Sequence, residues 1–451
     1  MSDSNIIRQR IDNGPLTPSM MIVVGIAFML NLLDGFDVIA MSVAATALAS
    51  DWGVTRGQLG PIFSAALVGM AVGAALLAPI ADRVGRRVAL LAATLSIGIA
   101  MIITGVIPGG LPEQTIGPWT LSGSIWLLIG VRFLTGLGVG VILANTAAIA
   151  SEAVPEKHRN LAVLIGMMGY SFGAMLVGPV AHAIIISQGW ENIFIYGGVA
   201  SFSMGLVIFL LMPESIDFLS SKTNRGPEDL AHINRILARF KRASIEALPE
   251  RGEESQIEAA SVRAILSPEF RTHTIALWTV YFFGFWCLYF LLTWIPTLFV
   301  DAGYSREQGI NALTYQNAGG VIGVLIVGLW ARNAKLAMPI AVFFLGGALS
   351  LVLISILRIQ DATALNTMIF LNGLLLQGGF VGVYALAAAY YPTRVRATGV
   401  GWGAGLGRVG AILSPLVAGL LAASGWSMYS LFLFFAIPLL LAPVLVLRFK
   451  L

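Results

Sequence analysis

Charge is scarce in this chain. Asp, Glu, Lys and Arg make up 11% of its 451 residues, where a soluble domain carries about 25%. With 57% hydrophobic residues and a mean hydropathy of +0.85, it cannot clothe itself in a polar surface, and a bilayer is the solvent it fits. Cysteine is nearly absent. Cys287 stands alone in an apolar run, which excludes an intrachain disulfide and offers no redox or metal role. Histidine is sparse too: the residues at 158, 182, 232 and 273 show no metal-ligand spacing, and there is no nucleophile elbow. These absences speak against an enzyme, a metal or another cofactor, and no nucleic-acid partner is expected. The stretch from Met1 to Pro18 is polar and lacks a cleavable signal pattern.

Apolar sequence, by contrast, comes in long runs. Runs that can span a bilayer, about 20 residues each, occur near 19–48, 57–80, 88–108, 121–147, 161–186 and 192–212. Six more occur near 273–300, 309–330, 336–357, 365–390, 397–422 and 427–447. The expected fold is an all-α membrane protein, twelve transmembrane helices in two pseudo-symmetric six-helix bundles. The expected domains are a cytoplasmic N-terminal segment (1–18), a first bundle (19–212), a cytoplasmic linker (213–271) and a second bundle (272–451). Within the linker, Leu230, Ile233, Ile236, Leu237 and Phe240 make the apolar stripe of an amphipathic helix, read as a connector rather than a binding module.

Lys and Arg set the orientation. With the N-terminus in the cytoplasm, only Arg56, Arg306 and Arg358 of the 27 basic residues fall on the opposite side, and Arg132 and Arg408 lie within spans. Both termini are therefore expected inside, in a bacterial inner membrane. The halves also repeat. V-P-E-K-H-R (154–159) and Y-P-T-R-V-R (391–396) each end a span, each precedes a glycine-rich helix, and each is followed about 20 residues on by a proline, Pro179 or Pro415. Six plus six with related halves is a transporter design, with substrate near the midplane.

Against this background the stretch N-L-L-D-G-F-D-V-I-A-M (31–41) puts two acids, Asp34 and Asp37, in a run that is otherwise apolar. Three apart on a helix, they share a face. Each ionised Asp at mid-bilayer costs roughly 2.5–3.5 kcal/mol on the insertion scale, so acids kept there face a cation or a water path. The plain alternative is that one pairs with a structural arginine. Two intramembrane cations, Arg132 and Arg408, are available as partners. A guanidinium stays charged and grips a carboxylate through two parallel hydrogen bonds. Arg408 is expected to contact substrate, Arg132 to serve coupling or structure.

The loop A-P-I-A-D-R-V-G-R-R (78–87) resembles the G-x-x-x-D-R-x-G-R-R signature of the major facilitator superfamily, with Ala78 in place of the first glycine. R-F-L-T-G-L-G-V-G (132–140) resembles the superfamily's fourth-helix R-x-x-x-G-x-G-x-G signature, whose arginine is linked to proton coupling. L-L-D-G-F-D-V in the first span, P-E-S-x-x-F-L after the sixth (213–219) and T-W-I-P-T-L in the seventh (293–298) resemble the aromatic acid:proton symporter family. The resemblance covers nearly the whole chain. It implies uptake of benzoate-type or hydroxybenzoate-type carboxylates with protons and points to Asp34, Asp37 and Arg408. It implies that Asp82, Gly85 and Arg86 latch a cytoplasmic gate, to which Glu152, Arg159 and Arg396 are expected to contribute. The matching second-half loop (328–335) departs from the pattern, with Arg332 where the acid would be.

An aromatic acid needs a cation for its carboxylate, apolar walls for its ring and amides for ring hydroxyls. Phe36, Trp294, Tyr315 and Trp402 are expected as walls, from a wider set that includes Tyr170, Trp278, Phe283 and Tyr384. Gln316, Asn317 and Gln377 are expected as polar contacts, with Asn31, Asn145 and Asn372 also available, and Asp37 is expected to serve both substrate and proton. Most such residues are packing residues, so few of the aromatics are expected to touch a ligand. The partners are thus an aromatic carboxylate, protons and the lipid bilayer, and a monomer is expected. A transporter of another small organic anion or of a sugar is the alternative. The seventh span lacks the Q-Q-x-S-G stretch of sugar porters, and a linker of this length is too short for the extra domain of a sensor.

Overall fold

Backbone placed in lipid must satisfy its N–H and C=O groups within the protein, and this chain does so with helices. The computed structural model describes residues 4–116, 119–221, 226–248, 262–330 and 336–449. Among the described residues, twelve helices are long and apolar enough to cross a membrane. The first six are Pro18–Trp52, Arg56–Val84, Arg86–Val106, Gly123–Glu152, Arg159–Gln188 and Glu191–Leu211. The seventh to twelfth are Arg271–Asp301, Arg306–Trp330, Ala337–Leu357, Ala362–Tyr390, Thr393–Ala423 and Met428–Val446. The result is a multi-pass membrane protein. An even number of spans puts both termini on one face, the terminal face; the other is the far face.

The same pairing recurs in both halves. The first span packs on the fifth, the second on the fourth and the third on the sixth; in the second half the seventh packs on the eleventh, the eighth on the tenth and the ninth on the twelfth. Small residues make these contacts close. A Cβ on Gly136 or Gly140 of the fourth span would collide with the carbonyls of Ala66 and Met70 on the second. Gly319 and Gly323 of the eighth span meet the carbonyls of Phe370 and Leu374 on the tenth in the same way. The repeat in the sequence is therefore a repeat of helix contacts.

The bundles hold together through their far halves. Ser42 Oγ donates to Thr293 O at 2.9 Å, Ser64 Oγ donates to Ile412 O at 2.8 Å, and Arg56 forms an ion pair with Asp301. Phe63 and Trp294 meet edge to face with centroids 5.6 Å apart. On the eleventh span, Ile412 and Arg408 face the first bundle. Gly401 and Gly405 share that helical face toward the terminal end, and a Cβ on either would meet no atom within 4 Å. The cleft between the bundles is closed at the far face and opens toward the terminal face.

Two elements differ from the sequence reading. A β-hairpin, β1 (Glu113–Ile116) paired with β2 (Trp119–Ser122), precedes the fourth span. That span begins at Gly123 rather than 121, and Ser122 Oγ caps it by accepting from Ile125 N. The N-terminal segment contains a helix, Ser4–Asp12, with Ile7 and Ile11 buried. Its Arg8 donates to the carbonyls of Glu152 and Val154 at 2.8 and 2.9 Å, which neutralises the negative end of the fourth span. The amphipathic linker helix runs Pro227–Arg239 and buries Ile233, Ile236 and Leu237.

Candidate functional site

The first span packs against the fifth because Gly35 has no side chain. A Cβ there would strike the carbonyl oxygen of Tyr170. The contact brings Tyr170 beside Asp34, the residue before Gly35, near the middle of the membrane. Asp34 and Asp37 are each 1% exposed, and despite their shared face they are served differently. Asp37 Oδ1 accepts from Arg132 Nη1 at 2.8 Å, and Arg132 Nη2 reaches the Asp37 carbonyl at 3.3 Å. Neither oxygen of Asp34 has a hydrogen-bond partner.

Arg408 lies at the middle of the eleventh span. Its Nη1 reaches Met70 O at 3.4 Å, and among the described residues it enters no ion pair. It lies within electrostatic reach of Tyr170, Tyr289 and Tyr384. The hydroxyls of Tyr170, on the first bundle, and Tyr289, on the second, are neighbours, although Tyr170 Oη has no partner at full hydrogen-bond geometry. The cleft thus holds a carboxyl without a cation, a guanidinium without an acid, and tyrosines between them. A carboxylate could take the guanidinium bidentately, and a proton could neutralise the acid.

The expected walls need correction. Trp402 is 46% exposed and shares a helical stripe with Val409, Leu413 and Leu420, which are also exposed. Tyr315 is 45% exposed on a stripe with Ile322, Ile326 and Leu329. Both stripes are apolar and suit lipid, so these rings leave the cleft. Phe36 points toward Gly197 of the sixth span, inside the first bundle. Trp294 is fully buried against Phe63, so it belongs to the far-face seal.

The amides also turn inward. Gln316 Nε2 donates to Asn372 Oδ1 at 3.0 Å, and Asn372 Nδ2 donates to Gly347 O and Ser350 Oγ. Asn317 Nδ2 donates to Leu313 O on its own helix. Gln377, half-buried, reaches Gln316 O at 3.4 Å. This network ties the eighth, ninth and tenth spans together. Asn31 ties the first span to Thr146 on the fourth at 3.0 Å, and Asn145 bonds back to Val141 O.

Most of the gate residues lie on the first bundle, while Arg396 lies on the eleventh span, in the second. Gly85 has φ 105°, a conformation that suits glycine. The turn lies over Glu214, whose Oε1 accepts from the backbone N–H groups of Arg87 and Ser215 at 3.0 and 2.9 Å. Arg86 pairs with Glu152, and Glu152 Oε2 accepts from Ser215 Oγ at 2.7 Å. Asp82, expected as the latch, has a side chain 70% exposed and only a 3.7 Å contact with Arg86. Among the described residues, Asp82 enters no other ion pair. Arg159 meets Asp12 at 3.4 Å, and Arg396 bonds locally to Tyr391 O. Arg332 lies outside the described residues.

Sequence reasoning passed over Tyr289, Glu214 and Ser215. Glu214 and Ser215 stood in the P-E-S stretch and were visible as polar residues next to the arginine loop. Tyr289 sits in the run Y-F-F-G-F-W-C-L-Y-F, where nothing distinguishes it from a packing ring.

Comparisons with known proteins agree with this architecture. The family model described as Major Facilitator Superfamily matches residues 27–382. The chain is 33% identical to a 4-hydroxybenzoate transporter, PcaK, of Pseudomonas aeruginosa, covering 97% of this chain and 94% of that one. It is 29% identical to a gallate transporter of Pseudomonas putida (98% and 94% covered) and 28% identical to a benzoate transport protein of Acinetobacter baylyi (99% and 93% covered). Among solved structures, an inward open conformation of the xylose transporter XylE from E. coli superposes with a TM-score of 0.72 at 17% identity, covering 96% of each chain, a likeness of fold alone. These relatives are transporters, not enzymes, and the matches extend over nearly the whole length. The chain belongs to the Major Facilitator Superfamily and, within it, to the aromatic acid:proton symporter family.

Proposed function

We propose that this protein carries an aromatic carboxylate of the hydroxybenzoate type, together with protons, into the cell across the inner membrane by alternating access. The terminal face is the cytoplasmic one, since it collects nearly all of the Lys and Arg, as the positive-inside rule requires. The cleft open at that face is then an inward-open state. The functional unit is a monomer of two bundles, 19–212 and 272–451, joined by the linker.

The observation that carries this reading is the pairing at mid-depth of Arg408, which has no acid, with Asp34, which has no cation. An isolated charge in a low-dielectric site costs several kcal/mol. A substrate carboxylate relieves that cost at Arg408, and a proton relieves it at Asp34. Each event favours the other, because a substrate carboxylate at Arg408 brings a second negative charge toward Asp34, and a like charge nearby favours the protonated acid. Asp37 is already neutralised by Arg132, so in this reading Asp34 carries the proton and the Arg132–Asp37 pair holds the first span in place. Rocking of the bundles then exposes the site to one side at a time, with the far-face ties broken in the outward-facing state.

The test is uptake of radiolabelled 3- and 4-hydroxybenzoate, benzoate, gallate and protocatechuate into cells expressing the protein, with and without a protonophore. Accumulation of at least one acid, abolished by the protonophore, is expected. A protein that reaches the membrane and accumulates none of them transports some other organic anion.

A further inference from the structure

Tyr170 occupies a place that no simple packing role explains. Its backbone is clamped against Gly35, which fixes it beside Asp34 as firmly as two helices in contact allow. Its hydroxyl is buried beside that of Tyr289 but closes no well-formed hydrogen bond, and a buried hydroxyl left unpaired costs about 1–3 kcal/mol. Across the cleft stand the hydroxyl of Tyr289 and the guanidinium of Arg408. The charged and titratable groups around this point are Asp34 and Asp37 from the first span, Arg132 from the fourth, Tyr289 from the seventh, Tyr384 from the tenth and Arg408 from the eleventh. Asp37 and Arg132 are spent on each other.

A tyrosine hydroxyl has one proton to donate. The neighbouring Tyr289 oxygen is a neutral acceptor, and two stronger, charged acceptors can compete with it: the ionised carboxylate of Asp34, and the carboxylate of a substrate held at Arg408. We propose that Tyr170 is the coupling donor of the transport site, giving its proton to Asp34 when that acid is ionised and to the substrate carboxylate when Asp34 is protonated. This rests on the symport reading above. Protonated Asp34 becomes a donor itself, so the chain runs from the Asp34 O–H to the Tyr170 oxygen and from the Tyr170 O–H to the substrate, each bond polarising the next. Ionised Asp34 reverses Tyr170 and leaves the substrate short of a donor and facing a like charge. Tyr289 contacts the substrate from the second bundle and does not choose between the acceptors.

Binding of labelled 4-hydroxybenzoate to the purified full-length protein, measured across pH 5 to 8 (~ the range in which buried carboxyls titrate), separates the possibilities. In the wild type, affinity is expected to fall as pH rises, because the protonated acid is the form that binds. Tyr170→Phe is expected to lower affinity at low pH by about tenfold, the weight of one hydrogen bond to a charged group, and to flatten the pH profile. Proteoliposomes bearing Tyr170→Phe should still exchange substrate at a reduced rate while concentrating it poorly under a pH gradient. Tyr289→Phe should lower affinity at every pH and keep the wild-type profile, and it serves as the reference variant. If Tyr170→Phe does not fold, Tyr289→Phe flattening the profile would overturn the assignment. So would a Tyr170→Phe profile parallel to that of the wild type. Wild-type protein that binds none of the five acids removes the symport reading and this inference together, whereas pH-dependent wild-type binding with a parallel Tyr170→Phe profile removes this inference alone.

Discussion

Arg132 and Asp37 form an ion pair closed to water: Nη1 stands 2.8 Å from Oδ1, and the two side chains are 2% and 1% exposed. Removing one member of such a pair leaves the other charged with nothing to meet it. Asp37→Asn and Arg132→Met are each expected to cost about 3–5 kcal/mol of stability. The double variant should recover most of the loss. Thermal unfolding of the three proteins in detergent decides it; single variants as stable as the wild type would mean the pair is solvated.

Asp34 loses no partner on substitution. Asp34→Asn should keep or raise the unfolding temperature while ending proton-driven accumulation. Each unit of pH gradient is worth about 1.36 kcal/mol per proton, so a one-proton symporter concentrates its substrate about tenfold and the variant should fall to equilibration. The affinity of the wild type should decline as pH rises through the titration of Asp34, and that of the variant should not. Accumulation by Asp34→Asn equal to the wild type would place the proton elsewhere.

Among the described residues Arg408 enters no ion pair, and its geometry is as important as its charge. Arg408→Lys keeps the charge and loses the planar fork. A rise in KM of about tenfold is expected for the lysine variant, and loss of saturable uptake for Arg408→Ala, from the weight of charge-assisted hydrogen bonds. Uptake kinetics on membranes with matched expression test this. An alanine variant with wild-type KM would mean that the substrate binds elsewhere.

Arg56 and Asp301 tie the bundles at the far face, where the arginine side chain is 50% exposed. An exposed pair contributes at most about 1 kcal/mol, so Asp301→Ala should shift the balance toward the outward-facing state by a factor of about five. Cys287 is the one native cysteine and is buried, which leaves a clean background for labelling. A Gly405→Cys reporter in the cleft should react more slowly with an impermeant thiol reagent from the terminal face once Asp301 is replaced. Unchanged reactivity would show that the ion pair is no latch.

Trp402 and Tyr315 lie on lipid-facing stripes. Trp402→Leu and Tyr315→Leu should change KM by less than about twofold, as surface substitutions generally do. A tenfold change in either would return that ring to the cleft.

The outcome for these two rings shows where sequence reading stops. Spans, their number and their grouping were legible because about 20 consecutive apolar residues have few other uses. The glycines of the fourth span stood out as a repeated pattern at 136, 138 and 140, and Gly136 and Gly140 press on the second span. Asp34 and Asp37 were legible because an acid in lipid is conspicuous. Which face a ring takes was not. In water an apolar stripe points inward, but in a bilayer apolar stripes face lipid and core alike, so Trp402 and Trp294 look the same in sequence and lie in opposite environments. The partner of Asp37 was equally hidden: Arg132 lies 95 residues away, and Arg408 was just as available in the sequence. Gln316 and Asn317 looked like ligands because amides are rare in apolar runs, yet helix packing uses amides too, and here they bond to Asn372 and to Leu313.

The contact of Gly35 with the Tyr170 carbonyl is one of three along the same seam, since Gly169 and Gly173 of the fifth span meet the carbonyls of Phe28 and Leu32 on the first. Teeth set that closely act as a gear. Neither helix can slip along or roll over the other by a fraction of a turn without a steric clash, so the two travel as one lever arm. A movement that turns Asp34 from one aqueous compartment to the other carries Tyr170 through the same arc. The distance that must change in each cycle is then the one from this lever to Tyr289 and Arg408, and a probe spanning that gap would report each stroke of the carrier.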